Sequence, residues 1–333
     1  MKIVFFGSPE QAVAALRTLL ERGHSVAAVY TQPDRPAGRS RSPAPTPVRQ
    51  AAEAAGVPVR TPRSLRDATV QVELAAFRAD VFVVAAYGKL LPPEALRIPR
   101  LGVLNVHPSL LPKYRGPSPV QQTILDGAEQ TGVTVMLLDE GMDTGPILAQ
   151  SAPVRLTGAE TAGALMARLF ELGAGLLADT IEKWARGEIT PRPQDNAQAT
   201  VTKLLSREDG EIDWSQPAQR IARMVRAYDP WPGTHTRWRG RALKVLVAQA
   251  VPPPSPSTGE EPALTTMPIG AKGPGGGETR VAGTVSVRDG GVVVATGEGA
   301  LRLHRLQLEG KKAVSAEEFV RGYPAFPGSA LPS

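Results

Sequence analysis

The first half of the chain alternates short apolar runs with amphipathic helical patterns. Runs rich in Val, Ile and Phe on both faces predict buried strands, at Lys2–Phe6, Ser25–Tyr30, Asp80–Ala86, Gly102–Val106 and Gly132–Leu138. Helices are predicted at Gln11–Arg22, Val48–Ala55 and Glu160–Arg186. This alternation predicts an α/β fold with a Rossmann-like, doubly wound and mostly parallel sheet, in which sites lie beyond the carboxyl ends of the strands.

The second half has a different pattern. Residues 188–206 are polar and aperiodic and predict a linker between a domain at 1–187 and a second at 207–323. Four short alternating runs follow a helix at Gln216–Ala227 and predict a small β-barrel or sandwich: Ala242–Val247, Gly283–Val287, Gly291–Ala295 and Ala300–Leu306. Within it, Val251–Arg280 contains 7 Pro and 6 Gly and no aromatic residue, which predicts a disordered insertion.

Composition excludes several classes of protein. The 333 residues include no cysteine, so thiol nucleophiles, disulfides and Cys-ligated metals are excluded. The first apolar run is too short for a signal peptide, and no apolar stretch approaches the length of a membrane span. We therefore expect a soluble, cytoplasmic protein without a membrane partner.

The net charge of +6 is modest, but it is unevenly distributed. Arg35–Arg63 holds six Arg and one acid, and its Pro- and Gly-rich start, Asp34–Pro47, has the composition of a phosphate-contacting arm. Lys203–Lys244 holds nine bases and five acids, interleaved with aromatic residues as in small RNA-binding barrels. A solvated protein surface is the alternative interpretation of each cluster.

Asn105 and His107 are the first candidates for chemistry. They are two residues apart on a predicted strand, so both side chains project to one side, and Pro108 ends the strand there. An amide beside an imidazole is suited to stabilising a developing oxyanion. The alternative is a buried polar pair whose hydrogen bonds are satisfied locally.

Asp143 follows the next predicted strand, within Gly141–Gly145. If the two strands are parallel neighbours, its carboxylate lies near Asn105 and His107 and can accept or relay a proton. The alternative is a turn Asp that caps backbone amides. A single Asp-Thr-Gly does not supply the paired carboxylates of an aspartic protease.

Two other turns follow predicted strands. Gly7-Ser8-Pro9 lacks the further glycines that a pyrophosphate requires, so no nucleotide cofactor is predicted. Tyr87–Pro92 either forms a wall of an apolar ligand pocket or is a turn packed on the core.

Several motifs together resemble those of the methionyl-tRNA formyltransferase family, and they fall in family order. They are Phe5–Pro9, Gln32–Arg39, Tyr87–Lys89, Asn105–Gly116, Gly141–Gly145, Ile212–Trp214, Arg226–Gly233 and Gly310–Lys312. The central motifs are shared by folate-dependent formyltransferases in general, whereas the second domain and the Arg-rich loop are typical of the tRNA enzymes. Gln11 departs from the family, which usually has an aromatic residue at that position.

The resemblance implies a formyltransferase fold with an OB-like second domain. It implies formyl transfer from 10-formyltetrahydrofolate to the α-amine of methionyl initiator tRNA, by a monomer that uses no metal and no nucleotide cofactor. The implied catalytic residues are Asn105, His107 and Asp143, with Asn105 and His107 donating to the formyl oxygen. The implied folate contacts are Ser109, Leu110, Leu111, Pro112, Tyr87 and Gly88, and the implied tRNA contacts are Arg35, Arg39, Arg41, Lys203 and Arg237.

The sequence leaves two alternative functions open. The same chemistry can act on a small amine, such as a purine ribonucleotide or an amino-sugar nucleotide. Alternatively, the chain is a non-catalytic RNA-binding relative, although its retention of Asn105, His107 and Asp143 argues against that.

Overall fold

The computed structural model describes residues 1–36, 43–251 and 281–333. Arg39, Arg41 and the predicted insertion beyond Val251 lie outside the described residues. The chain divides into two compact units, Met1–Leu204 and Leu205–Ser333. No helix among the described residues is both long and apolar enough to cross a membrane.

The first unit is an α/β domain. Its strands are β1 (Lys2–Gly7), β2 (Ser25–Tyr30), β3 (Arg35–Pro36), β4 (Pro43–Ala44), β5 (Val59–Arg60), β6 (Val81–Ala85), β7 (Val103–His107), β8 (Gln130–Thr131), β9 (Thr134–Leu137), β10 (Ile147–Gln150) and β11 (Val154–Arg155). Its helices are α1 (Glu10–Glu21), α2 (Pro47–Ala54), α3 (Ala68–Ala76), α4 (Pro93–Leu96), α5 (Pro119–Leu125) and α6 (Ala162–Ala185). The predicted strands and helices of this half occur within one or two residues of their predicted bounds.

The main sheet has seven strands in the order β10-β9-β7-β6-β1-β2-β5. Strands β7, β6, β1, β2 and β5 run parallel to one another, which confirms the mostly parallel, Rossmann-like prediction. Strand β9 is antiparallel to β7, with Asn105 opposite Met136 and His107 opposite Thr134. The expectation of a parallel strand at this position was therefore wrong, because the connection through α5 returns the chain to the edge where β7 ends. Strand β9 starts there, with Thr134 opposite His107, and runs in the opposite direction.

An aromatic cluster fills the sheet face beneath the ends of β1 and β6. The ring of Phe6 stacks on Tyr30 and contacts Phe82 and Tyr87, with centroid distances of 5.1 to 5.4 Å. All four side chains are almost fully buried. Their burial fixes the ends of β6, β1 and β2, which lie on one side of β7.

The second unit is built from antiparallel strands and two helices. Its elements are α7 (Ala218–Ala227), β12 (His235–Trp238), β13 (Arg241–Val251), β14 (Val285–Arg288), β15 (Gly291–Ala295), β16 (Ala300–Leu308), β17 (Val314–Ser315) and α8 (Ala316–Gly322). The sheet runs β12-β13-β16-β15-β14, and β17 pairs with β16. This antiparallel half-barrel confirms the OB-like prediction, with Trp238 and Phe319 packed in its core.

Residues predicted as a linker lie against the first unit. The backbone of Arg192 exchanges two hydrogen bonds with Ile147 of β10. Thr202 donates its backbone N–H to the carbonyl of Arg115 at 2.7 Å. Short 3-10 turns occur at Asn196–Gln198 and, in the second unit, at Glu208–Gly210. The polar segment therefore returns across the end of the sheet where the candidate residues lie.

Candidate active site

Strand β7 presents Asn105 and His107 on one side at its carboxyl end, as their spacing predicts. The side chain of His107 is only 5% exposed, and Asn105 is partly exposed. The extended backbone of β7 is fixed between β6 and β9, so both side chains emerge from a rigid strand. The two residues are therefore positioned by the sheet rather than by a loop.

Both nitrogens of the His107 imidazole face an acceptor group, and one of them is hydrogen-bonded. Its Nε2 atom lies 2.9 Å from the carbonyl oxygen of Tyr114. Because a carbonyl only accepts, Nε2 carries a proton and donates it. The Nδ1 atom lies 3.6 Å from Oδ2 of Asp143. This arrangement orients the ring and places its second nitrogen against a carboxylate.

Asp143 lies in the loop between β9 and β10, which folds back over the end of β7. Its Oδ2 atom accepts the backbone N–H of Gly116 at 2.8 Å, and its Oδ1 atom lies 3.5 Å from Nδ2 of Asn105. The backbone of Asp143 is left-handed, with φ of +53°. A non-glycine residue in that region is strained and persists where its surroundings hold it, as at functional sites.

The structure brings the three predicted catalytic residues together, but by another route than predicted. Strand β9 runs away from the site, and the loop after it returns Asp143 to the site. The two ring nitrogens of His107 face Tyr114 and Asp143 rather than open space. The amide of Asn105 is therefore the donor best placed to bind a developing oxyanion.

The segment predicted to contact folate is partly buried. The hydroxyl of Ser109 donates to the carbonyl of Lys113 at 2.7 Å, and its own carbonyl accepts from Thr134. Leu111 is also buried, and its carbonyl accepts from Gln150 at 2.8 Å. Leu110 and Pro112 are partly exposed. A ligand can therefore reach Leu110 and Pro112, whereas the Ser109 and Leu111 side chains are occupied in the core.

Tyr87 is a core residue. The residue is 1% exposed, its buried hydroxyl has no hydrogen-bond partner among the residues that the structure describes, and burial raises its pKa to about 12. Its carbonyl accepts from the hydroxyl of Ser8 and the amide of Gln32. Of the two interpretations of this turn, the burial of Tyr87 agrees with a turn packed on the core. The implied contact of Tyr87 with folate stays a prediction. Gly88 is exposed with φ of +77°, so this turn offers a ligand its backbone.

The predicted basic residues fall into three groups. Arg39 and Arg41 lie outside the described residues, and Arg35 is described only as part of β3. Lys203, at the end of the first unit, and Arg237, on β12 of the second, are both exposed.

Two arginines of the first charge cluster form ion pairs with carboxylates: Arg49 pairs with Asp34 and Glu53, and Arg60 pairs with Glu73.

Sequence reasoning missed the residues that support the catalytic group. The side chain of Gln194 donates to the carbonyls of Asp143 and Gly145, at 2.8 and 2.7 Å. Arg115 donates to the side-chain oxygens of Gln194 and Asn196, both at 2.9 Å. Gln194 is 51 positions from Asp143 in the chain, so no local pattern marks it. Among the described residues, no group of three His, Asp or Glu side chains is placed to hold a metal ion.

Comparison with known proteins identifies the family to which this chain belongs. The profile of the Formyl transferase family matches residues 1–181, and that of its C-terminal domain matches residues 204–324. A methionyl-tRNA formyltransferase from a Roseiflexus species is 50% identical over 323 residues, covering 97% of this chain and 92% of that protein. The methionyl-tRNA formyltransferase of Chloroflexus aurantiacus is 49% identical over 327 residues, covering 98% of each chain.

Solved structures share the fold. HypX from Aquifex aeolicus, in complex with tetrahydrofolic acid, superposes with a TM-score of 0.63 at 17% identity. The match covers 98% of this chain and 48% of HypX, so this chain spans about half the length of HypX. An N-formyltransferase from Helicobacter canadensis, in complex with folinic acid and dTDP-3-aminofucose, gives a TM-score of 0.61 at 16% identity and covers 91% of this chain and 98% of that one.

Sequence and fold thus agree, and the chain belongs to the formyl transferase family. Within that family, relatives about half identical over almost the whole chain place it among the methionyl-tRNA formyltransferases.

Proposed function

We propose that this protein transfers the formyl group of 10-formyltetrahydrofolate to the α-amine of methionyl initiator tRNA. The observation that carries the proposal is the convergence of Asn105, His107 and Asp143 at the end of β7, in a chain whose relatives share identity through both units. The product is formylmethionyl-tRNA, which starts translation.

The nucleophile needs orientation more than activation. A free α-amine has a pKa of about 7.7–8.0, and the ester linkage to tRNA should lower it, so a large fraction is neutral near pH 7. The amine nitrogen attacks the formyl carbon, and the bond from that carbon to the folate nitrogen then breaks. One proton must leave the amine, and one must reach the folate nitrogen. Holding amine and formyl group together supplies much of the rate enhancement.

We assign the developing oxyanion to the amide of Asn105. Its Nδ2 atom has two N–H bonds, and one long contact to Asp143 leaves the other for the formyl oxygen. His107 and Asp143 then carry out the proton transfer. The carboxylate, already fixed by the N–H of Gly116, accepts the proton from the amine and returns it to the leaving nitrogen. A protonated His107 would stabilise negative charge on both the carboxylate and the oxyanion.

Binding of the tRNA is proposed to rest on exposed basic residues. Lys203 and Arg237 are exposed and carry charge at the surfaces of their units. Arg35, Arg39 and Arg41 belong to the Asp34–Pro47 segment, whose composition suits phosphate contact. Arg49 and Arg60, which are paired with carboxylates, are not part of this proposed surface.

A small amine remains the competing substrate class, because the fold is shared with the N-formyltransferase that was crystallised with dTDP-3-aminofucose. A formyl-transfer assay that offers charged initiator tRNA and small amines separately distinguishes the two. Formylation of the tRNA supports the proposal, and formylation of a small amine alone rejects it.

The proposal includes a cytoplasmic location, where charged tRNAs are used, and a monomeric enzyme. Light scattering on the purified protein tests the second part. A mass near 35 kDa supports a monomer, whereas twice that mass contradicts it.

A further inference from the structure

We propose that Gln194 is a positioning residue for the catalytic carboxylate, so that the segment predicted as a linker belongs to the active site. The inference rests on the proposed function, since it assigns how Asp143 is held for that chemistry.

The backbone at Asp143 requires support. Asp143 has a left-handed φ of +53°, a conformation that residues with a side chain rarely adopt and that the surrounding structure must hold in place. The Nε2 atom of Gln194 donates at once to the carbonyl of Asp143 and to that of Gly145, at 2.8 and 2.7 Å. These two bonds span the strained turn, so Gln194 fixes the direction in which the carboxylate leaves the backbone.

The amide of Gln194 is itself held by a buried charge. The guanidinium of Arg115 donates from Nε to Oε1 of Gln194 and from Nη2 to Oδ1 of Asn196. Arg115 is only 6% exposed, and none of the ion pairs in the described part of the chain includes it. A cation that polarises the amide oxygen strengthens the N–H groups on the other side of the same amide.

A second connection runs through the backbone next to Arg115. The N–H of Gly116 donates to Oδ2 of Asp143 at 2.8 Å. Residues 115–116 therefore reach Asp143 twice, directly at the carboxylate and through Gln194 at the backbone. With both connections in place the carboxylate can neither rotate nor shift relative to His107 without breaking a hydrogen bond.

The same segment offers a matched control. Gln198 lies four positions further on and is exposed, and within the described ranges its side chain donates only to Asp195, at 2.9 Å. Gln194→Met removes both donors while keeping the length of the side chain. Gln194→Glu keeps an acceptor for Arg115 but turns an oxygen toward two carbonyls. Gln198→Met makes the same change as the first variant at a position outside the network.

The experiment measures formylation of charged initiator tRNA by single-turnover and steady-state kinetics. Gln194→Met and Gln194→Glu should lower kcat about 10–100-fold with little change in the KM for tRNA, because a small misplacement of a catalytic group has costs of that order. Gln198→Met should match the wild type. A wild-type kcat in either Gln194 variant overturns the proposal, and thermal unfolding identifies a variant that does not fold. If one of them does not fold, the other still decides.

A double-mutant cycle separates positioning from general support of the fold. If Gln194 acts through the Asp143 carboxylate, Gln194→Met should change the residual rate of the Asp143→Asn enzyme by less than about 2-fold. An equal loss in both backgrounds contradicts positioning. Failure of the wild type and of Gln198→Met to formylate tRNA would instead reject the proposed function itself.

Discussion

Oδ2 of Asp143 lies 3.6 Å from Nδ1 of His107, while Nε2 of the same ring donates to the carbonyl of Tyr114. The imidazole is thus held between a backbone acceptor and a carboxylate. Such a pair can move a proton over a short distance without reorienting either group, which suits an amine that must lose one proton and a leaving nitrogen that must gain one.

Replacing that carboxylate should remove proton transfer and leave substrate binding in place. Asp143→Asn retains the shape of the side chain and should lower kcat by about 10²–10⁴-fold. Single-turnover formylation measures the rate, and filter binding measures tRNA affinity. A variant with the wild-type rate would refute the role assigned to Asp143.

Removing the oxyanion donor should have a comparable effect on kcat. Asn105→Ala deletes the amide that faces the site and should lower kcat by about 10²–10³-fold, with little change in KM, because the donor acts on charge that develops in the transition state. Asn105→Asp, which substitutes an acceptor, should be at least as impaired. Steady-state kinetics tests both, and a rise in KM at constant kcat would mean that Asn105 only binds substrate.

A methyl group at Gly116 should disturb both stability and catalysis. Gly116 has φ of +101°, and an added Cβ would lie 2.8 Å from the carbonyl oxygen of Thr202. Gly116→Ala should therefore move the N–H that holds Asp143 and lower the formylation rate. Gly158 has φ of +82° and open space around it, so Gly158→Ala isolates the backbone cost of about 1–2 kcal/mol. Equal activity in the two variants would contradict this account.

Tyr87 makes stability depend on pH in the alkaline range. Burial raises its pKa to about 12, above the value of about 10 in the unfolded chain. Below pH 10 the phenol is neutral in both states, whereas above pH 10 only the unfolded state ionises. Stability is therefore lost between about pH 10 and 12, by roughly 1–3 kcal/mol from this group.

Tyr87→Phe should reduce that loss. At pH 8 the variant should be as stable as the wild type or slightly more stable, because the buried hydroxyl has no partner in the described part of the chain. Urea unfolding at pH 8 and at pH 11.5 measures both differences. An identical alkaline decline in the two proteins would show that Tyr87 does not contribute.

The Arg-rich loop should act through phosphate. Arg41→Ala is expected to weaken tRNA binding and to reduce the slope of log affinity against log salt by about one, while folate binding stays unchanged. Arg168→Ala, at an exposed position on α6, serves as the control. An unchanged salt slope would count against a phosphate contact at Arg41.

Local sequence patterns were sufficient to predict the central strands and part of the site. Alternation along β7 correctly placed Asn105 and His107 on one side, and both-face hydrophobicity identified the central strands. The position of Asp143 was right for the wrong reason, because nothing local distinguishes an antiparallel β9 from a parallel one. Burial of Ser109 was missed, since it depends on packing between distant segments, whereas the burial of Tyr87 agrees with the predicted alternative of a turn packed on the core.

The contacts of residues 188–206 show the same limit. A polar, aperiodic stretch has the composition of a linker, yet Gln194 and Arg192 bond to residues more than 40 positions earlier. Long-range polar contacts of this kind leave no periodic signal, because each depends on a single side chain. The fold could therefore be predicted from the sequence in outline, but the residues that position the site could not.

The central claim is that the amine acceptor is methionine esterified to the initiator tRNA. One reaction tests it most directly: the wild-type protein with formyl-labelled 10-formyltetrahydrofolate, in the presence of charged initiator tRNA together with an aminoribonucleotide and an amino-sugar nucleotide. We expect label on the methionyl α-amine of the wild-type reaction and none with Asp143→Asn. Label on a small amine with the tRNA unmodified would contradict it.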